Sequence, residues 1–235
     1  FTLLRSFGIT TNDAQFAGAA VIEGFDGVLY GTTDGGGTAG CGTVFKLNRD
    51  GSGYAVLLNI AGNSEELNST AALLQGSDGL LYGTTFAGGS QRNGSVFRLN
   101  TNGTGHSILR SFTGGSASFP QAGLIEGHDG WLYGTASGAT TTDGGVVFKM
   151  RKDGSSYSVL RTFSATGTDG KWPDSALVQG PDGVLYGTAR AGGTNGLGTI
   201  FRLNTNGANY ATVRSFENAY GDGQLPVSGL TLTRD

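Results

Sequence analysis

The eight residues "DGVLYGTT" at 26–33 return as "DGLLYGTT" at 78, "DGWLYGTA" at 129 and "DGVLYGTA" at 182. Their Asp-Gly pairs are spaced by 52, 51 and 53 residues. A fixed period of this length marks tandem supersecondary units that bury their apolar surface only against one another. Three further segments recur in constant order around the first. One reads "YAVLLNI", "HSILRSF", "YSVLRTF" and "YATVRSF" at 54, 106, 157 and 210, with "FTLLRSF" at 1. The next reads "AAVIEG", "AALLQG", "AGLIEG" and "SALVQG" at 19, 71, 122 and 175, with a weaker "SGLTL" at 228. The last reads "GTVFKLN", "GSVFRLN", "GVVFKM" and "GTIFRLN" at 42, 94, 145 and 198.

Each segment has strand length and is rich in Val, Ile, Leu, Phe and Tyr. No stretch sustains a helical period. The turns between segments are "FDG", "SDG", "HDG" and "PDG", or "RDGSG", "TNGTG", "KDGSS" and "TNGAN". Asp-Gly and Asn-Gly accept positive φ and close tight hairpins. Four antiparallel strands in roughly 50 residues, repeated in tandem, predict an all-β chain. The expected fold is a β-propeller of four-stranded antiparallel blades forming a single domain over 1–235. The full blades fall at about 19–60, 71–112, 122–163 and 175–216. Orphan strands remain at 1–7 and 228–232. They could pair to close the ring within the chain, exchange with neighbouring copies, or belong to a longer array.

Two connections are loose. One is the nine-residue run after "LYGT", such as "DGGGTAGCG"; the other joins one blade to the next and varies in length. Strand alternation places both on the same face, and variable loops on a rigid scaffold are where binding usually resides. Phe86, Arg92, Phe119, Lys171, Trp172, Arg190 and Tyr220 are the candidate ligand-binding residues on that face. The competing reading is that they fill gaps or are solvated.

The copies "DGVLYGTT…GGG…GTVFKLN" resemble the GloVer-type tandem repeat of bacterial surface proteins over nearly the full chain. The resemblance implies export, an extracellular or cell-surface location and a propeller-like domain. It implies no catalytic residues. No sorting anchor is expected within the closing residues "LTLTRD".

Little in the sequence points to catalysis. His106 and His128 are the only histidines of the chain, and neither has a partner at ligand spacing. No nucleophile elbow occurs, and the Gly-Gly loops lack the helix and Lys-Ser/Thr of a phosphate cradle. Glu23 and Glu126, with Gln75 and Gln179 in equivalent places, end the first strand of each blade. They either line a channel mouth or flank the hairpin. Asp169, Asp174 and Asp222 lie in loops but lack calcium-loop spacing. Asp26, Asp78, Asp129 and Asp182 fit the demands of a turn. No cofactor or metal is expected. Cys41 is the only cysteine, so no disulfide forms within the chain.

A net charge of −3 with 14 % charged residues argues against nucleic acid, and no apolar run is long enough to span a membrane. The sequons at Asn68, Asn93 and Asn102 are what chance supplies in so Asn- and Ser-rich a chain. The leading expectation is a non-enzymatic surface module, structural or adhesive, that assembles with other copies through exchange of terminal strands. The alternative is a lectin-like propeller that binds glycans on its loop-rich face. A hydrolase or lyase at an axial channel is the weakest of the three.

Overall fold

A computed structural model describes residues 2–10, 12–60, 66–67, 71–138, 142–164, 166, 168–218 and 222–233. Among these residues every regular element is a strand. The chain divides into two compact units, 1–113 and 114–235. Each unit holds two antiparallel four-stranded sheets, ordered as they run in sequence.

Sheet I pairs Ile22–Glu23, Leu29–Thr33, Thr43–Leu47 and Ala55–Asn59. Sheet II pairs Leu74–Gln75, Leu81–Thr85, Ser95–Leu99 and Ser107–Ser111. Sheet III pairs Ile125–Glu126, Leu132–Ala136, Asp143–Met150 and Tyr157–Ser164. Sheet IV pairs Val178–Gln179, Leu185–Ala189, Thr199–Leu203 and Ala211–Ser215. These are the blades the repeat predicts. The first strand of each is only two residues long, shorter than its segment.

The turn explains the recurrent Asp-Gly. Gly27, Gly79, Gly130 and Gly183 have φ of 74° to 81°, a region closed to most side chains. Asp26 Oδ1 accepts the Val28 N–H at 3.1 Å, which sets the turn from inside. Its other oxygen accepts the Tyr30 hydroxyl at 2.7 Å, and Asp78–Tyr82 and Asp129–Tyr133 repeat the bond at 2.7 Å. Turn geometry is therefore half the reason for the acid. The other half is a buried phenol that needs an acceptor. That bond comes first among the influences holding the Asp26 carboxyl below its ordinary range, and burial followed by Asp26 pushes Tyr30 up to about 12.

Strand alternation gives each sheet a Tyr face and a Phe face. On the Phe face, the glycine of "LYGT" lies under the ring of the phenylalanine opposite. A Cβ at Gly31, Gly83, Gly134 or Gly187 would meet Phe45, Phe97, Phe148 or Phe201 at 2.4–2.6 Å. The ring fills the place of the missing side chain, so glycine and phenylalanine recur together.

In unit 1 the Tyr face of sheet I, with Tyr30 and Val44, packs on the Phe face of sheet II, with Leu73, Leu81, Phe97 and Leu99. In unit 2, Tyr133 and Val147 of sheet III pack in the same way on Leu177, Leu185, Phe201 and Leu203 of sheet IV. Each fully buried side chain contributes about 1.5–3 kcal/mol. Polar links stitch the same interfaces. Thr32 Oγ1 donates to Ala71 O at 2.9 Å, and Thr135 Oγ1 to Ser175 O at 3.1 Å. Gln75 and Gln179 accept the backbone N–H of Phe25 and His128, at 2.7 and 2.8 Å, from the turn of the preceding sheet. Glu126 is bonded to Lys152 at 2.7 Å, and Glu23 pairs with Arg49. These four residues therefore hold hairpins and neighbouring sheets together.

Residues 2–7 and 228–233 carry no ladder, although both segments have strand composition. Two short pairs absent from the sequence reading join Ala14–Gln15 to Gly35–Gly36 and Glu66–Leu67 to Ala87–Gly88. They tie the link entering a sheet to the nine-residue loop of that sheet.

Candidate functional site

The edge carrying the loops is ordered by one repeated device. Phe16, Phe119, Trp172 and Leu225 occupy equivalent positions before the first strand, and all have positive φ, 51° to 58°. For bulky residues this conformation is strained by about 1–3 kcal/mol. It aims the carbonyl at the loop following "LYGT". Asp34 N donates to Phe16 O at 3.1 Å, Ser137 N to Phe119 O at 3.3 Å, and Arg190 N to Trp172 O at 2.9 Å. A large side chain is thereby held at the same place before sheets I, III and IV.

In unit 2 this arrangement gathers three of the predicted binding residues. Lys171 Nζ stands 4.3 Å from the Trp172 ring centroid, and the Arg190 guanidinium 5.1 Å from it. The Trp172 indole N–H donates to Asp143 O at 3.1 Å, and its backbone N–H to Gly144 O at 2.7 Å. Arg190 Nε lies 2.7 Å from Asp174 Oδ2. Burial pushes the Asp174 carboxyl up to about 6, against the opposing charge of Arg190, and among the described residues no hydrogen-bond donor reaches the buried Asp174 Oδ1. The cluster thus combines an aromatic ring, two cations and a carboxyl that titrates near pH 6. It suits a polar or anionic ligand presented at the surface.

Phe119 is half-buried in unit 2, its carbonyl also accepting Ser137 Oγ at 3.0 Å. Phe86 is half-buried and Arg92 exposed, both in the nine-residue loop of sheet II, with Arg92 at φ 58°. Tyr220 lies outside the described residues. His106 rests against Phe97 with ring centroids 5.9 Å apart, beside an open depression of about 470 Å³ lined by Ser90, Ser107, Ile108 and Ser111. Among the described residues no three His, Cys, Asp or Glu side chains are grouped to hold a metal ion.

Sequence reasoning missed a second constellation. Arg5 holds Asp13 through two contacts of 3.0 Å, the Tyr54 hydroxyl donates to Asp13 Oδ1 at 3.0 Å, and the guanidinium lies 3.9 Å over the Tyr54 ring. In unit 2, Arg161 pairs with Asp169, the Tyr210 hydroxyl donates to Asp169 O, and Arg161 lies 4.0 Å over Tyr210. The signal was present. An aspartate follows the arginine by eight residues, and a tyrosine follows the aspartate by 41. This clasp joins sheets I and IV to the segments preceding them. Burial opposes ionisation of Asp13, but hydrogen bonds from Tyr54 and Arg5 keep its carboxyl below the ordinary range.

The model of the Gloeobacter/Verrucomicrobia repeat matches residues 16–235. Among curated proteins no sequence match is found. Similar solved structures include the nidogen/laminin complex, with TM-score 0.59 and 13 % identity over 89 % of this chain and 65 % of that one. TolB from Acinetobacter baumannii aligns with TM-score 0.58 and 15 % identity over 92 % of this chain and 46 % of its own. A candidate gluconolactonase aligns with TM-score 0.53 and 15 % identity over 82 % of this chain and 61 % of its own. This chain therefore spans less than two thirds of the length of each. At such identities the likeness bears on the fold alone. These neighbours are β-propeller proteins, and the four-stranded sheets are propeller blades.

Proposed function

This chain belongs to the Gloeobacter/Verrucomicrobia repeat family, and on that premise we propose that it is a non-enzymatic module of an exported bacterial protein. Its four blades act as one propeller domain over 1–235 and serve surface structure or adhesion by stacking on further blades, including those of other copies. One observation carries this reading. Val21, on the Phe face of sheet I, is 46 % exposed, whereas its equivalents Leu73 and Leu177 are 4 % and 1 % exposed. Around Val21 lies an apolar groove of about 180 Å³ lined by Leu4, Phe7, Ala17, Leu29, Phe45 and Leu47. On sheet IV, Val213 is 56 % exposed, whereas Leu160 in the same place on sheet III packs into the core of unit 2. Val21 and Val213 thus keep exposed the positions that are buried inside each unit. The recurrent acids and amides of the scaffold are engaged in turns and inter-sheet bonds, which fits a stacking role better than a catalytic one.

Homotypic clustering of beads coated with the protein tests the reading. Clustering is expected, and Val21→Glu is expected to abolish it. Clustering unchanged by Val21→Glu refutes it.

The gathering of Lys171, Trp172 and Arg190 supports a second reading, a glycan-binding face. Glycan-array signals that disappear in Trp172→Ala would support it, and a blank array would remove it.

A further inference from the structure

The inter-sheet clasp occurs a third time, incomplete. Arg214 Nη2 donates to Asp222 Oδ2 at 3.1 Å, with the same eight-residue separation as Arg5–Asp13 and Arg161–Asp169. Asp222 is built to accept. Gly223 N donates to Oδ1 at 3.0 Å and Glu217 N to Oδ2 at 2.7 Å, as Ala14 N and Ile9 N donate to Asp13 at 2.9 and 3.3 Å. These contacts, the Glu217 N–H first, hold the Asp222 carboxyl below its ordinary range. Among the described residues no phenol donates to Asp222 and no ring lies under Arg214. The Arg214 side chain is 53 % exposed, against 28 % for Arg5 and 33 % for Arg161. A complete clasp needs a tyrosine from the fourth strand of a following blade.

Residues 2–14 show what supplies the other half. "TLLRSF" at 2–7 is the repeat equivalent of "ATVRSF" at 211–216. Its contacts with sheet I reproduce those that the fourth strand of sheet III makes with sheet IV. Phe7 lies 5.1 Å from Phe45 and 6.2 Å from Tyr54, and Phe163 lies 5.1 Å from Phe201 and 5.9 Å from Tyr210. The Leu4 carbonyl abuts the Gly51 turn, where an added Cβ would meet it at 2.5 Å, and the Leu160 carbonyl abuts Gly207 at 2.6 Å. Residues 2–14 thus play the part of a preceding blade's outer strand. Unlike 211–215, which is laddered to sheet IV, residues 2–7 have no ladder of their own. They are held by side chains and by the two-residue pair at Ala14–Gln15.

We infer that residues 2–14 are an exchangeable stand-in on sheet I. Their replacement is the outer edge of sheet IV from a second copy, which brings Val213, Arg214, Phe216 and Asp222 onto Phe45, Gly51 and Tyr54. Tyr54 then completes the open clasp. This rests on the stacking reading above and names the partner and the contact that limits it. The contact is heterologous, head to tail, so it propagates unless it closes a ring.

Sedimentation velocity tests the exchange on the full chain, on a chain lacking residues 1–14, and on Leu4→Ala/Arg5→Ala in case the deletion fails to fold. Far-UV circular dichroism checks the fold of each. Weakening the stand-in is expected to lower the dissociation constant for self-association at least tenfold. Asp222→Asn added to the deletion, or a peptide of residues 1–16 added in trans, is expected to restore the monomer. A folded variant that stays monomeric at millimolar concentration, or association indifferent to Asp222→Asn, overturns the inference. If bead clustering persists while the deletion changes nothing, only the exchange falls. If clustering is also absent, the stacking reading falls with it.

Discussion

Gly134→Ala isolates the reason that "LYGT" keeps its glycine. Position 134 has no left-handed φ, so the backbone itself gains slightly from alanine, by about 0.5–1 kcal/mol. Against this, the new Cβ would lie 2.6 Å from Phe148 Cζ and 2.7 Å from Leu124 Cδ2. Both side chains are locked in place, at 0 % and 5 % exposure. Something must move by the better part of an ångström in a packed layer, and overpacking of this kind costs about 1–3 kcal/mol. At mid-range these leave a net loss of about 1 kcal/mol, which lowers Tm by about 2–4 °C in a chain of this size. Urea unfolding followed by tryptophan fluorescence reports on unit 2, since Trp131 and Trp172 both lie there. Phe148→Leu removes the ring that is struck, so the double variant should recover about 1 kcal/mol relative to additivity. Gly130→Ala is the contrast. That position has φ 75° with nothing within 4 Å of the added Cβ, so its cost of about 1 kcal/mol comes from the backbone and should be indifferent to Phe148→Leu. Gly134→Ala as stable as the parent, or a cost that Phe148→Leu leaves unchanged, would refute the argument.

Tyr133→Phe should cost about 1 kcal/mol in urea unfolding, because Asp129 loses its donor while the ring packing stays. Asp174 gives a pH dependence of definite sign. Its carboxyl loses its proton near 3.8 when unfolded and near 6 when folded, so stability falls as pH rises between these values, by about 3 kcal/mol in all. Urea midpoints measured from pH 4 to 7 should show the decline, and Asp174→Asn should flatten it; an unchanged slope would remove the assignment. Gln179→Ala unties the turn at His128 from sheet IV. It should lower stability by about 0.5–1 kcal/mol, with faster amide exchange at His128 as the specific sign.

Much of the architecture was legible in the sequence because a repeat states its own period. Four copies of "LYGT" and "VFKLN", separated by Asp-Gly and Asn-Gly, specify strand number, strand order and the antiparallel sense, since each follows from local turn chemistry and side-chain alternation. Other features depend on residues far apart in the chain. The bonds from Arg5 through Asp13 to Tyr54 combine residues that each look sufficient alone, as a strand arginine, a loop acid or a strand tyrosine. The loop residues were the least legible. Lys171, Trp172 and Arg190 are brought together by a left-handed backbone at Trp172 and a carbonyl aimed across 18 residues. The sequence alone determined which surfaces are greasy, through period-two alternation. Only the tertiary structure decided which of them are covered, because burial depends on what packs against each blade to exclude water, and Val21 and Val213 keep 46 % and 56 % of their surface exposed.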